Sequence, residues 1–350
     1  MTNRFGENDW AFGDEVASQD MKDTFADVKW TRMSGFLGMG VRALIGFSET
    51  TWSATRSTPY SIWTTTNRGQ TWTEKSTNNS SNAIFVRCKD DITKALCVET
   101  STTGHITATA DSGITWTAKT SVPMGGMLTS GSYPTSSLMV VCGWSGTAFQ
   151  YIKYSTNGGT SWSWATTPDN IVLLVDMYDG TTGYAVTSAG LILKTTDGAV
   201  TWTSTGDSCG ITLSTGGCAG TLLTISATQV IFSGIGLITL YDNSAHTTTT
   251  KFQYKTETNR CLGLKKLNSG RYLTGFITGG EAGSTTLLRL SDDSTMANWK
   301  CLVLPSESKT STATGTSFGL ASYLSDIPNA DTFILNLAEY QILKINGLGR

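Results

Sequence analysis

Thr65-Thr66-Asn67-Arg68-Gly69-Gln70-Thr71-Trp72 is one of four closely similar segments in this chain. The others are Thr109-Ala110-Asp111-Ser112-Gly113-Ile114-Thr115-Trp116, Ser155-Thr156-Asn157-Gly158-Gly159-Thr160-Ser161-Trp162 and Thr195-Thr196-Asp197-Gly198-Ala199-Val200-Thr201-Trp202. They share S/T-x-D/N-x-x-x-S/T-W, with Gly at the fifth position in three of them, and their tryptophans are spaced by 44, 46 and 40 residues. Each part of the pattern has a mechanical reason. Asp or Asn bonds its own backbone two residues on and shapes a turn, while Gly supplies positive φ. The small hydroxyl residues satisfy backbone groups inside that turn. The Trp then opens the next strand and fills the wedge between neighbouring sheets. A repeat of this length fits one small sheet per unit better than the shorter coil of a β-helix.

Two degenerate copies follow these four. Ser291-Asp292-Asp293-Ser294 leads to Trp299, one residue late, and Leu240-Tyr241-Asp242-Asn243-Ser244 keeps strand and turn but has Phe252 in place of a Trp. Near the C-terminus, Gln341–Gly347 reads like Gly190–Asp197 and marks a seventh turn with no outer strand after it. Val28–Arg32 can supply that strand, since Trp30 precedes Trp72 by 42 residues, in step with the repeat. Between the boxes the second unit reads as four strands, Ala83–Lys89, Lys94–Glu99, Gly104–Ala110 and Thr115–Lys119. Short strands separated by turn signals are what closed all-β rings require.

The repeated motif resembles the Asp-box, or BNR repeat, of sialidase-type and photosystem-assembly-type propellers. The resemblance implies an all-β fold: a seven-bladed β-propeller, with six blades as the alternative, preceded by a short N-terminal helical arm. The expected organisation is an arm over residues 1–27 and a propeller over 28–350, closed by strand 28–32 on the C-terminal blade. In that family the box is a structural staple. Asn67, Trp72, Asp111, Trp116, Asn157, Trp162, Asp197, Trp202, Asp293 and Trp299 are therefore expected to be structural. Sialidase chemistry uses three arginines on a carboxylate, a Tyr–Glu pair and an acidic Asp. The family's early Arg-Ile-Pro motif is missing here, and Arg42, Arg56, Arg260 and Arg271 do not sit in matching contexts.

The totals agree with sheets and loops. Charged residues are 15% of 350, against roughly 25% in an average domain, and 37 residues are Gly. A formal net charge of −2 and the absence of a basic stripe argue against nucleic acid. No stretch approaches the roughly 20 apolar residues of a membrane helix, and the opening MTNRFGENDWAFGDE has no apolar core of a secretory signal. Cys88, Cys97, Cys142, Cys209, Cys218, Cys261 and Cys301 form no CxxC pair, so no metal site is expected. Cys88 with Cys97, and Cys209 with Cys218, could face each other across hairpins; reduced core cysteines are the favoured reading. Two histidines, His105 and His246, stand apart, and neither a G-x-S-x-G elbow nor a phosphate loop occurs.

No cofactor is therefore expected, and binding is favoured over catalysis. In Glu49–Arg56, Trp52 and Arg56 read as loop residues able to meet a ligand, as does Trp144 in Gly143-Trp144-Ser145-Gly146. Glu281 and the Glu339-Tyr340 pair are the best loop carboxylate and aromatic candidates for a glycosidase. Ser18 can cap a helix through Gln19–Asp27, with Met21 and Phe25 at helical spacing and Trp10 and Phe12 ahead of it. Gly13–Phe25 loosely resembles the openings of phage tail-fibre and other virion proteins. The resulting expectation is a non-enzymatic structural or adhesive component of a virus particle. It would dock on other virion proteins through the arm and meet a host glycan or protein, without nucleic acid or membrane insertion. A glycoside hydrolase or glycan-binding lectin is the first alternative, and an assembly-factor scaffold the second.

Overall fold

The computed structural model describes residues 29–33, 41–57, 60–76, 83–99, 104–122, 127–143, 151–168, 171–211, 213, 220–234, 236–253, 260–267, 269–278, 285–302, 324–326, 332–337 and 341–346. The expected arm helix, with Trp10, Phe12, Met21 and Phe25, lies outside them, and the described residues contain strands and turns but no helix.

Strand β1 (Lys29–Met33) is followed by six antiparallel meanders of four strands each. The first sheet is β2 (Val41–Gly46), β3 (Trp52–Ser57), β4 (Tyr60–Thr65) and β5 (Thr73–Ser76). The second is β6 (Ala83–Arg87), β7 (Ala95–Glu99), β8 (Ile106–Thr109) and β9 (Thr117–Ala118). The third is β10 (Leu128–Ser132), β11 (Met139–Gly143), β12 (Ile152–Ser155) and β13 (Ser163–Trp164). The fourth is β14 (Val172–Met177), β15 (Gly183–Thr187), β16 (Leu191–Thr195) and β17 (Thr203–Ser208). The fifth is β18 (Thr221–Thr224), β19 (Gln229–Ser233), β20 (Leu237–Asp242) and β21 (Thr247–Gln253). The sixth is β22 (Arg260–Lys266), β23 (Tyr272–Thr278), β24 (Thr285–Ser291) and β25 (Trp299–Leu302). A seventh four-stranded sheet joins β26 (Leu324–Asp326), β27 (Thr332–Leu337) and β28 (Gln341–Asn346) to β1, in the order β1-β28-β27-β26, with Trp30 opposite Ile345. The first strand of each sheet touches the first strand of the next, and β26 touches β2.

The core lies between sheets, not within one. In β11 every residue is buried. Val140 and Cys142 point into the cluster shared with the fourth sheet, and Met139 and Val141 into the cluster shared with the second. Strand β7 does the same, with Ala95 and Cys97 towards the first sheet and Leu96 and Val98 towards the third. Side chains alternate across a strand, so a sheet covered on both faces needs a continuous apolar run. That is why these strands read as ALCVE and MVVCG.

The four repeated turns share one set of hydrogen bonds. The first hydroxyl (Thr65, Thr109, Ser155 or Thr195) donates to Oδ1 of the Asx residue at 2.8–2.9 Å. It also accepts from the amide four residues on, at 2.9–3.3 Å. The same Oδ1 accepts the amide of the seventh residue at 2.9 Å. Positions four and five both have positive φ: Arg68 and Gly69, Ser112 and Gly113, Gly158 and Gly159, Gly198 and Ala199. Two left-handed residues in succession are the backbone of a tight hairpin turn. Thr109→Val is expected to cost about 1–2 kcal/mol, because it strands the Gly113 amide and one Asp111 lone pair; a denaturant midpoint unchanged from wild type would refute that role.

Three of the tryptophans that end these turns, Trp116, Trp162 and Trp202, pack in clusters shared with the preceding sheet. Trp202 lies in the cluster between the third and fourth sheets, and Trp116 meets Phe47 and Phe85 in the cluster between the first and second. Trp162 and Trp72 are only half-buried. Trp72 and Trp202 donate Nε1 to the carbonyl of the fifth turn residue at 3.2 Å. In the second sheet that carbonyl, on Gly113, is claimed by Thr64 Oγ1 of the first sheet at 2.8 Å. The Asp293 turn is built differently: Ser291 Oγ donates to the Asp293 carbonyl, the Asp293 carboxylate takes Thr295, and buried Met296 occupies the left-handed position at φ 58°. The extra residue before Trp299 is accommodated there. Trp299 then meets Phe252 edge-on, with ring centroids 5.8 Å apart.

Cys88, Cys97, Cys142 and Cys209 are free thiols in buried positions. Cys97 stands opposite Phe85, while Cys88 bridges to Tyr133 of the next sheet, so the considered Cys88–Cys97 hairpin pair does not form.

Candidate functional site

Among the described residues, a dense set of polar contacts sits where the first strands of several sheets end. These strands belong to separate sheets, and beyond the Cys88–Tyr133 bridge, where the Lys89 amide donates to the Tyr133 carbonyl at 2.9 Å, side chains join them. In β10, Thr129 Oγ1 donates to the Leu173 carbonyl at 2.8 Å, and Ser132 Oγ accepts the Met177 amide at 3.0 Å. Asp176, at the end of β14 and only 9% exposed, is the hub. Its carboxylate accepts Ser132 Oγ at 2.9 Å, the Thr224 amide at 2.9 Å and Thr224 Oγ1 at 2.6 Å. Lys89, from the turn after β6, completes the set: its Nζ lies 2.8 Å from Asp176 Oδ1 and 3.2 Å from Thr224 Oγ1, and it also donates to the Met177 carbonyl. Residues of the second, third, fourth and fifth sheets thus meet on one carboxylate.

The two histidines are each held by a carboxylate through Nδ1. Glu99, at the other end of its sheet, is fully buried and lies 3.2 Å from His105. Asp207 on β17 accepts His246 Nδ1 and the Tyr241 hydroxyl, both at 2.7 Å, and so ties the fourth sheet to the fifth. The hydrogen bond from His246, then that from Tyr241, holds Asp207 below the usual carboxylate range. These clusters involve different sheets and ends of sheets, and no Ser or Cys nucleophile joins either histidine among the bonds described. Among the described residues no group of three His, Cys, Asp or Glu side chains is placed to hold a metal.

Of the residues expected to form a ligand site, the structure describes Trp52 and Arg56. Trp52 does not lie in a loop. It begins β3, is wholly buried, and donates Nε1 to the Ser48 carbonyl at 2.9 Å. Its large apolar face fills the core instead of waiting for a ligand. Arg56 lies on the same strand, half-buried, with its Nε enclosed and unpaired. Arg271 donates Nε to the Ser291 carbonyl at 2.8 Å. Trp144, Glu281, Glu339 and Tyr340 lie outside the described residues, as do the side chains of Arg42 and Arg260. Asp176 and Lys89 were not singled out in the sequence. The signal that could have found Asp176 is a single carboxylate inside the apolar run Ile171-Val172-Leu173-Leu174-Val175-Asp176-Met177. An unpaired charge does not persist in such a strand.

Acid should loosen the turns before the core. Asp242 is pushed down to about 2, chiefly by the Ser244 hydroxyl and then by Gln229. Asp111 and Asp197 are also lowered; burial pushes them up, and the bonds donated to them outweigh it. A carboxyl depressed in the folded state stabilises fully above its unfolded value, about 3.9, and loses that contribution as pH falls through the folded value. Stability is therefore expected to fall between about pH 4 and pH 2. Asp242→Asn should flatten the slope of a thermal-melt series across that window, and an unchanged slope would contradict the assignment.

No family model matches this chain, and no curated protein does either. Solved structures do. YCF48 bound to D1 peptide is 12% identical with a TM-score of 0.59, covering 91% of this chain and 95% of that one. The WD40 β-propeller domain of Doa1 is 14% identical with a TM-score of 0.59, covering 92% and 98%. The GH74 enzyme of Niastella koreensis is 14% identical with a TM-score of 0.54, covering 88% of this chain and 43% of that one. At such identities the likeness concerns fold alone: the chain is a β-propeller.

Proposed function

We propose that this chain is a seven-bladed Asp-box propeller serving as a non-enzymatic binding component of a virus particle, docked on other virion proteins through residues 1–27. Seven four-stranded sheets with first strands in a closed cycle support the blade number. The four equivalent hydroxyl–Asx turns support the Asp-box reading.

One observation carries the non-enzymatic reading: Asp176, on the first strand of the fourth sheet, is saturated by four donors from three other sheets. General acid–base or nucleophilic work needs a lone pair or proton that can reach a substrate. Here those positions hold the ring together. A rigid ring presenting turns and loops suits recognition, and one neighbour of the same fold was solved with a bound peptide. The virion setting rests on the low charge content and on the N-terminal segment.

Two measurements test the proposal. The protein should be present at constant stoichiometry in purified particles from its source, and removal of residues 1–27 should abolish incorporation while the ring still melts cooperatively. Turnover of any oligosaccharide in a glycan panel, abolished by a single carboxylate substitution, would replace this reading with a glycosidase. Absence from particles would end the viral setting.

A further inference from the structure

Four large apolar side chains stand out as exposed among the described residues: Ile92 at 41%, Ile114 at 42%, Tyr178 at 42% and Val200 at 40%. All four fall on turns at one end of the sheets. Ile92 and Tyr178 sit in the turns between first and second strands, and Ile114 and Val200 in those between third and fourth. In a four-stranded meander both kinds of turn lie at the same end. Backbone bonds pin them together: Ser112 N to the Thr93 carbonyl at 2.8 Å in the second sheet, and Gly198 N to the Thr181 carbonyl at 3.0 Å in the fourth. Ile114 and Val200 also occupy the same place, the sixth, in their copies of the repeated turn, where the other two copies have Gln70 and Thr160.

The third sheet between them is stitched to both. The Ser136 amide donates to Asp90 at 3.0 Å on one side, and the Thr166 amide donates to the Val200 carbonyl at 2.9 Å on the other. The turn surface of three successive sheets is thus one preformed platform with an apolar spot at each end. Its charge is one-sided. Segments 88–94, 110–116, 133–138, 156–162, 178–182 and 196–202 carry five aspartates and two lysines. Lys94 is matched by Asp91 at 3.1 Å and Lys89 by Asp176 at 2.8 Å. Asp90, Asp111, Asp179 and Asp197 are all held below the usual carboxylate range, so they stay ionised in neutral solution.

We infer that this turn face is a docking surface for a cationic segment of a partner protein whose apolar side chains seat on the Ile92–Ile114 and Tyr178–Val200 spots. The inference rests on the binding-component reading and names the surface and the partner's chemistry. Complementary charge selects and steers the partner, and the apolar spots supply the desolvated anchors.

The test uses the full chain with three labelled synthetic peptides of equal length: Lys/Leu, Glu/Leu and Lys/Ser. Lys/Leu should bind, weaken as salt is raised, and protect turns 88–94, 110–116, 178–182 and 196–202 from hydrogen exchange. Glu/Leu and Lys/Ser should bind at least tenfold more weakly. The double variant Ile114→Ser, Val200→Ser removes exposed side chains, so the fold should survive, and it should lose at least fivefold in Lys/Leu affinity. Equal binding by Glu/Leu, unchanged affinity in the double variant, or protection confined to other surfaces would overturn the assignment; in the last case the binding reading survives and the surface is wrong. Concentration-dependent self-association abolished by the same double substitution would also overturn it, in favour of a second copy of this chain.

Discussion

Asp176→Ala is expected to destabilise the ring by about 3–5 kcal/mol, the range for removing one partner from a buried charged network. The substitution leaves the Thr224 amide, both hydroxyls and the Lys89 ammonium without their shared acceptor. Lys89→Met should cost less, about 1–2 kcal/mol. Lys89 is 35% exposed along its side chain, and the Asp176 carboxylate it leaves behind keeps three donors. The pair should be non-additive, with the double variant less damaged than the sum of the singles. Urea unfolding followed by Trp fluorescence measures all three. A loss below about 1 kcal/mol for Asp176→Ala would mean that the sheets hold their relative positions without this bridge.

Gly113→Ala is the second large effect. Gly113 has φ +81°, and a Cβ there would stand 2.4 Å from Ser53 Oγ and 2.9 Å from Phe47 Cε2, both of the preceding sheet. Left-handed strain of about 1 kcal/mol adds to overpacking of about 1–3 kcal/mol. Gly158→Ala separates the two contributions: its φ is +66°, but its nearest foreign atom would be 3.7 Å away. It should lose only the strain, about 1 kcal/mol. Ala199 shows that a methyl group is accommodated at the equivalent place in the fourth sheet, at φ 70°. Ser53→Ala combined with Gly113→Ala should recover part of the loss. Equal melting temperatures for the Gly113 and Gly158 variants would remove sheet-to-sheet contact as the cause.

The β-propeller fold was legible because its information is local. A hydroxyl, an Asx and a left-handed pair within eight residues specify a hairpin whatever surrounds them, and four copies announce a repeated sheet. The strand setting of Trp52 and Arg56 was not legible. Trp52 and Arg56 occupy a Thr- and Ser-rich stretch that reads as a loop, yet Ser53 and Thr55 are buried in β3. Ser53 Oγ pairs with Thr64 Oγ1 at 2.8 Å. Hydroxyls that satisfy one another across strands make a polar stretch behave as core, and composition does not reveal that pairing.

The repeat, the turn chemistry and the two-sided apolar strands can be read along the chain, since each depends on residues close together in it. That Lys89 reaches Asp176, 87 positions away, that Gly113 lies against Ser53, and that four exposed apolar side chains share one face emerges only on folding. Those outcomes depend on how neighbouring sheets are set around the axis. That setting is fixed by packing between sheets, which no single stretch of chain encodes.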